Sequence, residues 1–500
     1  MFYHLDRYAA SIIARLRGCG VAEDRIREDL RFDVVERQGE LVATCNLSDI
    51  LDDAAADGEG LEVSLGRQAP GEICRNLASA RKSHVAEGRP GRTACVEFAS
   101  VYPTAPYPLA DIRVAFVGDA IANQLQQDGW KVTREFFSND AGQQVLTFSR
   151  AIYACYAAGF DQATAAALKV PDYIRGIARQ LQAERGRDLL DLSEDEWLPP
   201  VRTFALDRIL GRIRGDLASL GVMMDSFVSE QGLRNDGRLE AAVAQMLGHA
   251  VEDAPVGADA PNAKLSIAAG IAETEHQLVL RSETGEWTYL AADIAYHFYK
   301  VSRGFQRVVN VMRRDHEAYF QKLEAVIDPL LPPDVELFHR TIGAVQVVPD
   351  CRRGTAGLAE VTSHCDPVAL RLSMLLCGDE DLSPEASVEG LCGPDMAGLV
   401  ATLGASIEPP GEGEGVFDLP VLTHLMAWPL WRRHAVETND PHRIALFLQS
   451  FANLHIATQD EAVLSEPCLA DRGALAKIVR DACNHIGLFD PVFRAVGQTH

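Results

Sequence analysis

No stretch of the 500-residue chain approaches 18 consecutive apolar residues, so no membrane-spanning helix is expected. The opening residues, MFYHLDRYAASIIARLRG, lack the apolar core and cleavage site of a secretory leader. Eleven cysteines are scattered without a Cys-x-x-Cys pair, which argues against a disulfide framework and a structural zinc site. Basic residues are scarce beside acidic ones: 47 Lys and Arg against 71 Asp and Glu, a net charge of −24. That balance argues against a protein that coats nucleic acid, and no DNA partner is expected, although one groove can still gather positive charge. Internal repeats and low-complexity tracts are also missing. What remains is an ordinary soluble composition with apolar content for sizeable cores, and two to four domains by length. A cytoplasmic monomer without membrane or metal sites is the expectation.

The most informative segment lies between residues 94 and 143. Ala94–Ala99 is a short apolar run. Ile112–Gln127 carries Ile112, Ala115, Phe116, Ala120 and Leu125 at helical spacing, and Trp130–Phe137 alternates apolar and polar. Strand, helix and strand make a βαβ unit and imply a parallel sheet. Ligands of such sheets sit at the carboxyl ends of the strands, which places the loop Ser100–Asp111 at the mouth of a nucleotide-type site.

Flanking segments fill in the architecture. Before this unit, Leu5–Leu16 predicts an amphipathic helix and 31–45 predicts short strands. After it, Gln144–Ala158, Asp161–Glu184 with a break at Pro171, and Glu196–Val222 read as helices. Arg307–Met312 reads as a buried strand with Asp315 capping the next helix. Toward the carboxyl end, 368–376, 396–403, 421–433, 444–455 and 475–486 have helical spacing, and Asp440-Pro441 is a cap followed by proline. In the run His364-Cys365-Asp366 adjacent side chains point apart, so no nucleophile or metal site is read there.

Many positions fall on one family's frame. Glu97, Phe98, Pro103, Thr104, Pro106, Arg113, Gly118, Asp119, Gly129, Thr133, Arg134, Glu135, Asn139, Asp140 and Gly142 keep its first signature region. Asp225, Phe227, Ser229 and Glu230 match a second, Tyr289 and Asp293 to His297 a third, and Pro441, His442, Arg443, Ala445 and Leu448 a fourth. Val368-Ala369-Leu370-Arg371 stands for the DALR motif. Over roughly residues 92–500 the chain resembles bacterial arginyl-tRNA synthetases, a class I family. The resemblance implies a Rossmann-like α/β catalytic domain with helical insertions (92–361), an all-α anticodon-binding-like bundle (362–500) and a small α+β amino-terminal domain (1–91).

The catalytic signatures depart from the family. Pro108, Leu109, Ala110 and Asp111 stand where the HIGH-type His-Val-Gly-His belongs. In the KMSK region Arg352 and Arg353 offer a residual positive charge after Pro349, Asp350 and Cys351. Adenylation builds charge on phosphate oxygens, so donors must be preplaced there; Pro108 has none, and Asp111 adds like charge. The resemblance assigns substrate contacts to Glu97, Tyr102, Tyr289 and Asp293, with Tyr102 in place of an asparagine. It assigns nucleotide contacts to Arg313, Arg314, Asp315 and His316, the two arginines replacing Gly-Ala. Arg432, Arg433 and Arg443 form a basic group for tRNA phosphates. The expected protein is synthetase-like and impaired in ATP-dependent arginine activation. It would keep an arginine or tRNA scaffold, or a protein partner, for a regulatory or specialised biosynthetic role, and Mg2+ would enter only with ATP. A working arginine–tRNA ligase and an arginyl-tRNA-dependent transfer enzyme are the alternatives.

Overall fold

The computed structural model describes residues 2–18, 21–22, 25–26, 29–37, 40–45, 62–66, 70–87, 91–160, 169–242, 264–266, 277–279, 287–345, 358–378, 392–407, 414–460 and 467–488. At the amino end, α1 (Phe2–Gly18) buries Leu5, Ala9, Ile12, Ile13 and Leu16, the face its spacing predicts. Three antiparallel strands, β1 (Phe32–Arg37), β2 (Glu40–Cys45) and β3 (Glu62–Gly66), lie in that order, and α2 (Pro70–Glu87) follows.

The central sheet begins with β4 (Thr93–Glu97), α3 (Ile112–Gln127) and β5 (Lys131–Ser138), the βαβ unit read from the sequence. Gly118 of α3 meets Phe98 just past β4; a methyl there would lie 2.2 Å from the ring, so only glycine permits this packing. Helices α4 (Gln143–Ala158), α5 (Asp172–Arg185) and α6 (Glu194–Ser219) intervene before β6 (Ser226–Ser229) and α7 (Glu230–Asn235). The expected break at Pro171 falls immediately before α5.

A short antiparallel pair, β7 (Lys264–Ser266) with β8 (Gln277–Val279), precedes α8 (Tyr289–Ser302). The sheet then receives β9 (Arg307–Arg313), with α9 (Glu317–Ile327) leading to β10 (Glu336–Ile342). Strand order is β10-β9-β4-β5-β6 and every pairing is parallel. The chain winds outward from β4 to β6, then returns beside β4 as β9. The crevice between the carboxyl ends of β4 and β9 is therefore the topological switch point, where such sheets bind ligands.

The carboxyl-terminal part contains α10 (Leu358–His364), α11 (Pro367–Leu376) and α12 (Pro394–Ile407). These are followed by β11 (Glu414–Asp418), α13 (Leu419–Met426), α14 (Trp428–Glu437), α15 (Pro441–Asp460), β12 (Pro467–Asp471) and α16 (Arg472–His485). Two expectations need correction here. β11 and β12 form an antiparallel ladder, so the bundle is not all-α. The single helix expected over 421–433 is two, because Pro429 cannot donate to the carbonyl four residues back and the chain re-initiates at Trp428. Cys365 and Cys392, at the approaches to α11 and α12, form a disulfide with Cα atoms 5.7 Å apart. Isolated cysteines carry no pairing signal in a sequence, hence the contrary expectation. No helix among the described residues is long and apolar enough to cross a membrane.

Candidate functional site

The switch point opens into a cavity of about 630 Å³. Its floor comes from the end of β4, where Ala99 adopts a left-handed φ of 60°, an uncommon conformation for a residue with a side chain. That turn brings Ser100 back beneath the strand: its hydroxyl donates to Glu97 Oε1 at 2.9 Å and accepts from the Phe137 amide at 3.0 Å. Glu97 Oε2 accepts from Lys300 Nζ at 2.6 Å, and both side chains are buried.

α8 supplies the facing wall. Tyr289, Asp293, His297 and Lys300 recur at helical spacing and share one stripe of it. Lys300 also donates to Asn310 Oδ1 at 2.7 Å, and Asn310 Nδ2 donates to His297 Nε2 at 2.8 Å. His297 Nδ1 faces the Asp293 carbonyl at 2.7 Å, so that nitrogen carries the proton. Burial, reinforced by Lys300 and His339, holds His297 well below its ordinary pKa, so the ring is neutral. The Asp293 carboxyl accepts from the Tyr319 hydroxyl of α9. Removal from water pushes its pKa up to about 7, and Glu97 and Glu230 add to the rise.

At the mouth, Pro108 precedes a short 3-10 turn, Leu109–Asp111, that runs straight into α3. Asp111 makes no capping bond to that helix. Its carboxylate instead lies 3.3 Å from Arg313 Nε at the end of β9. Burial raises the Asp111 pKa and Arg313 partly offsets the rise. Arg313 also reaches Asp315 at 2.7 Å. Thus two positions far apart in the chain, Asp111 and Arg313, meet in space at the cavity mouth.

The structure brings Glu97, Tyr102, Pro108, Asp111, Tyr289, Asp293, Arg313 and His316 onto this one cavity. Leu109 packs instead against the main core, while Arg314 and Asp315 are exposed beside the mouth. Arg352 and Arg353 lie outside the described residues. The basic group assigned to tRNA stands elsewhere and is not an open surface. Arg432 pairs with Asp128 at 2.9 Å and with Asp6, Arg433 with Asp6 at 3.1 Å and Asp128 at 3.4 Å, and Arg443 with Asp440 at 3.5 Å. The Arg432 and Arg443 side chains are buried and Arg433 is largely so; Arg432 and Arg433 meet acids from distant parts of the chain, Arg443 an acid three residues before it. Among the described residues no trio of His, Cys, Asp or Glu is placed to hold a metal ion.

No protein-family model matches the chain. An arginine–tRNA ligase of Roseobacter denitrificans is 32% identical, the alignment covering 73% of this chain and 70% of the relative. One from Cereibacter sphaeroides is 30% identical with the same coverage. The chain belongs to the arginine–tRNA ligase family. The fold agrees with that membership: the Thermus thermophilus arginyl-tRNA synthetase structure superposes with a TM-score of 0.60 at 16% identity, covering 99% of this chain and 98% of that one. Within this family member, the parallel sheet and its helical surroundings are those of a class I α/β protein. Sequence reasoning missed Lys300, Tyr319 and the site role of Glu230. Lys300 carries one signal, its place seven residues beyond Asp293 on the same helical face; Tyr319 carries none before β9 and α9 are folded together.

Proposed function

We propose that this family member retains the synthetase scaffold as an arginine or tRNA binder, is impaired or inactive in activating arginine with ATP, and serves a regulatory or specialised biosynthetic role. The observation that carries the reading is the Asp111–Arg313 ion pair at the cavity mouth. Transfer at a phosphate needs donors aimed at the developing charge, each worth roughly 10²–10³ in rate. Pro108 has no N–H, Leu109 and Ala110 have no polar side chain, and Asp111 both repels phosphate and occupies Arg313. These residues do not fit ATP, and Mg2+, which would enter only with ATP, has no role without it. Arginine and tRNA are the ligands the relatives' activity suggests for this scaffold in a cytoplasmic setting, and a protein partner is compatible with it.

The test is arginine-dependent pyrophosphate exchange by the purified protein, with and without total tRNA. The expected rate is below about a thousandth of an active ligase's, the loss of more than one donor. Robust exchange overturns the proposal and restores an ordinary ligase. Transfer of arginine from charged tRNA to a small amine, without exchange, identifies a transferase.

A further inference from the structure

Helices α11 and α12 are held by unequal means. α11 buries Ala369, Leu370, Leu372 and Leu375, and its Arg371 donates to Asp119 at 2.7 Å and to the Ile486 carbonyl at 3.0 Å. Asp366 caps its start, accepting from the Val368 and Ala369 amides at 2.9 Å each. The buried side chains of α12 begin more than a turn in, at Leu399, Leu403 and Ile407, and Arg480 of α16 donates to the Ile407 carbonyl at its far end. Before Leu399, Pro394, Asp395, Ala397 and Gly398 are exposed and Met396 is half-buried. A covalent bond ties this end down: Cys392, two residues ahead of α12, is joined to Cys365, which lies just before the cap of α11. The two sulfurs differ in access, Cys365 being 5% exposed and Cys392 half-buried. Small thiols exchange with a disulfide that offers them one open sulfur far more readily than with an enclosed one. Cys377 stands past the opposite end of α11, the length of a ten-residue helix or about 15 Å away, and does not compete for the bond.

We infer that Cys365 and Cys392 form a reversible redox site for low-molecular-weight thiols, which clamps the start of α12 to α11 when oxidised and releases it when reduced. A small thiolate attacks the accessible Cys392 sulfur and forms a mixed disulfide there, and Cys365 departs as a thiolate and takes up a proton. A second small thiolate attacks the small molecule's own sulfur in that mixed disulfide. Cys392 then leaves as a thiolate and is protonated, and the two small molecules depart joined. Two electrons and two protons thus pass from the pair of small thiols to the pair of cysteines. The bond spans a sequence separation of 27 residues, so closing it also removes chain freedom. On reduction α11 keeps its cap, its buried face and its Arg371 ties, while the early turns of α12 keep little. The inference goes beyond the proposed function and does not depend on it.

The experiment is hydrogen–deuterium exchange of the full chain read by mass spectrometry, with thiol alkylation mapped in parallel. It is run in oxidised glutathione, in an excess of reduced glutathione, and after return to the oxidised buffer. Cys365 and Cys392 are expected to be joined in the first, alkylated in the second without denaturant, and joined again in the third. On reduction the amides of residues 398–402 are expected to exchange about ten- to a hundredfold faster, while those of 370–376 stay within about twofold. Cys392→Ser, a small change at a half-buried position, is expected to exchange at the reduced rate in every buffer. A bond that persists in excess reduced glutathione is a permanent bridge and overturns the switch, as does failure of the two thiols to rejoin. Unchanged exchange at 398–402 on reduction, or an equal rise in α11, overturns the selective release of α12.

Discussion

Asp293 illustrates how one side chain sets the behaviour of the cavity. Its pKa rises from 3.8 to about 7 on folding. An acid with a raised folded-state pKa stabilises the fold while protonated in it: the contribution is present below about pH 4 and disappears as pH climbs through about 7. Asp293→Asn cannot titrate. Wild-type stability relative to this variant is therefore expected to fall by roughly 2 kcal/mol between about pH 4 and pH 8, half the full linkage value because the cavity admits water. Urea midpoints at the two ends of that range check this; parallel pH profiles would refute it. Asp293 and Glu97 were legible in the sequence because the family frame marks them. The Asp111–Arg313 pair was not, since nothing in one dimension relates the two until the turn before α3 meets the end of β9.

Helix α8 acts as one unit, its apolar residues set in the core and its polar stripe against β4 and β9. Lys300 and Glu97 are the buried tie between that helix and the sheet. Removing one partner of such a pair leaves an uncompensated charge, whereas replacing both with neutral groups is far less harmful. Lys300→Met should cost about 3–5 kcal/mol, and adding Glu97→Gln should recover roughly half of it. Chemical denaturation of the two single variants and the double variant decides the matter, and strict additivity would count against a direct tie. At this scale periodicity served well for α3, whose apolar spacing is regular. It failed at β11 and β12, which pair across some fifty intervening residues, a relation no local pattern encodes.

Across the whole molecule, the amino-terminal unit, the sheet domain and the carboxyl-terminal helices converge on one knot of charge: Asp6, Asp128, Arg432 and Arg433. Burial pulls the Asp128 pKa upward, but Arg432 and Arg433 outweigh it and hold the carboxyl below its usual range. Asp128→Ala is expected to destabilise the protein by about 3 kcal/mol and to split one thermal transition into two, as the parts lose their common joint. A single unchanged endotherm in calorimetry would show that the knot is dispensable. In one dimension Arg432 and Arg433 look like a surface for RNA, because nothing near them reveals the acids they meet. The same closure has a consequence for synthesis. Arg17 donates to the Glu437 carbonyl, 420 residues downstream. At roughly 5–20 residues per second the ribosome needs about 20–80 s to deliver that partner. For that interval α1 has only its near neighbours in the chain, Phe32 of β1 and helix α2, to cover it, and the side that meets α14 waits for its partner.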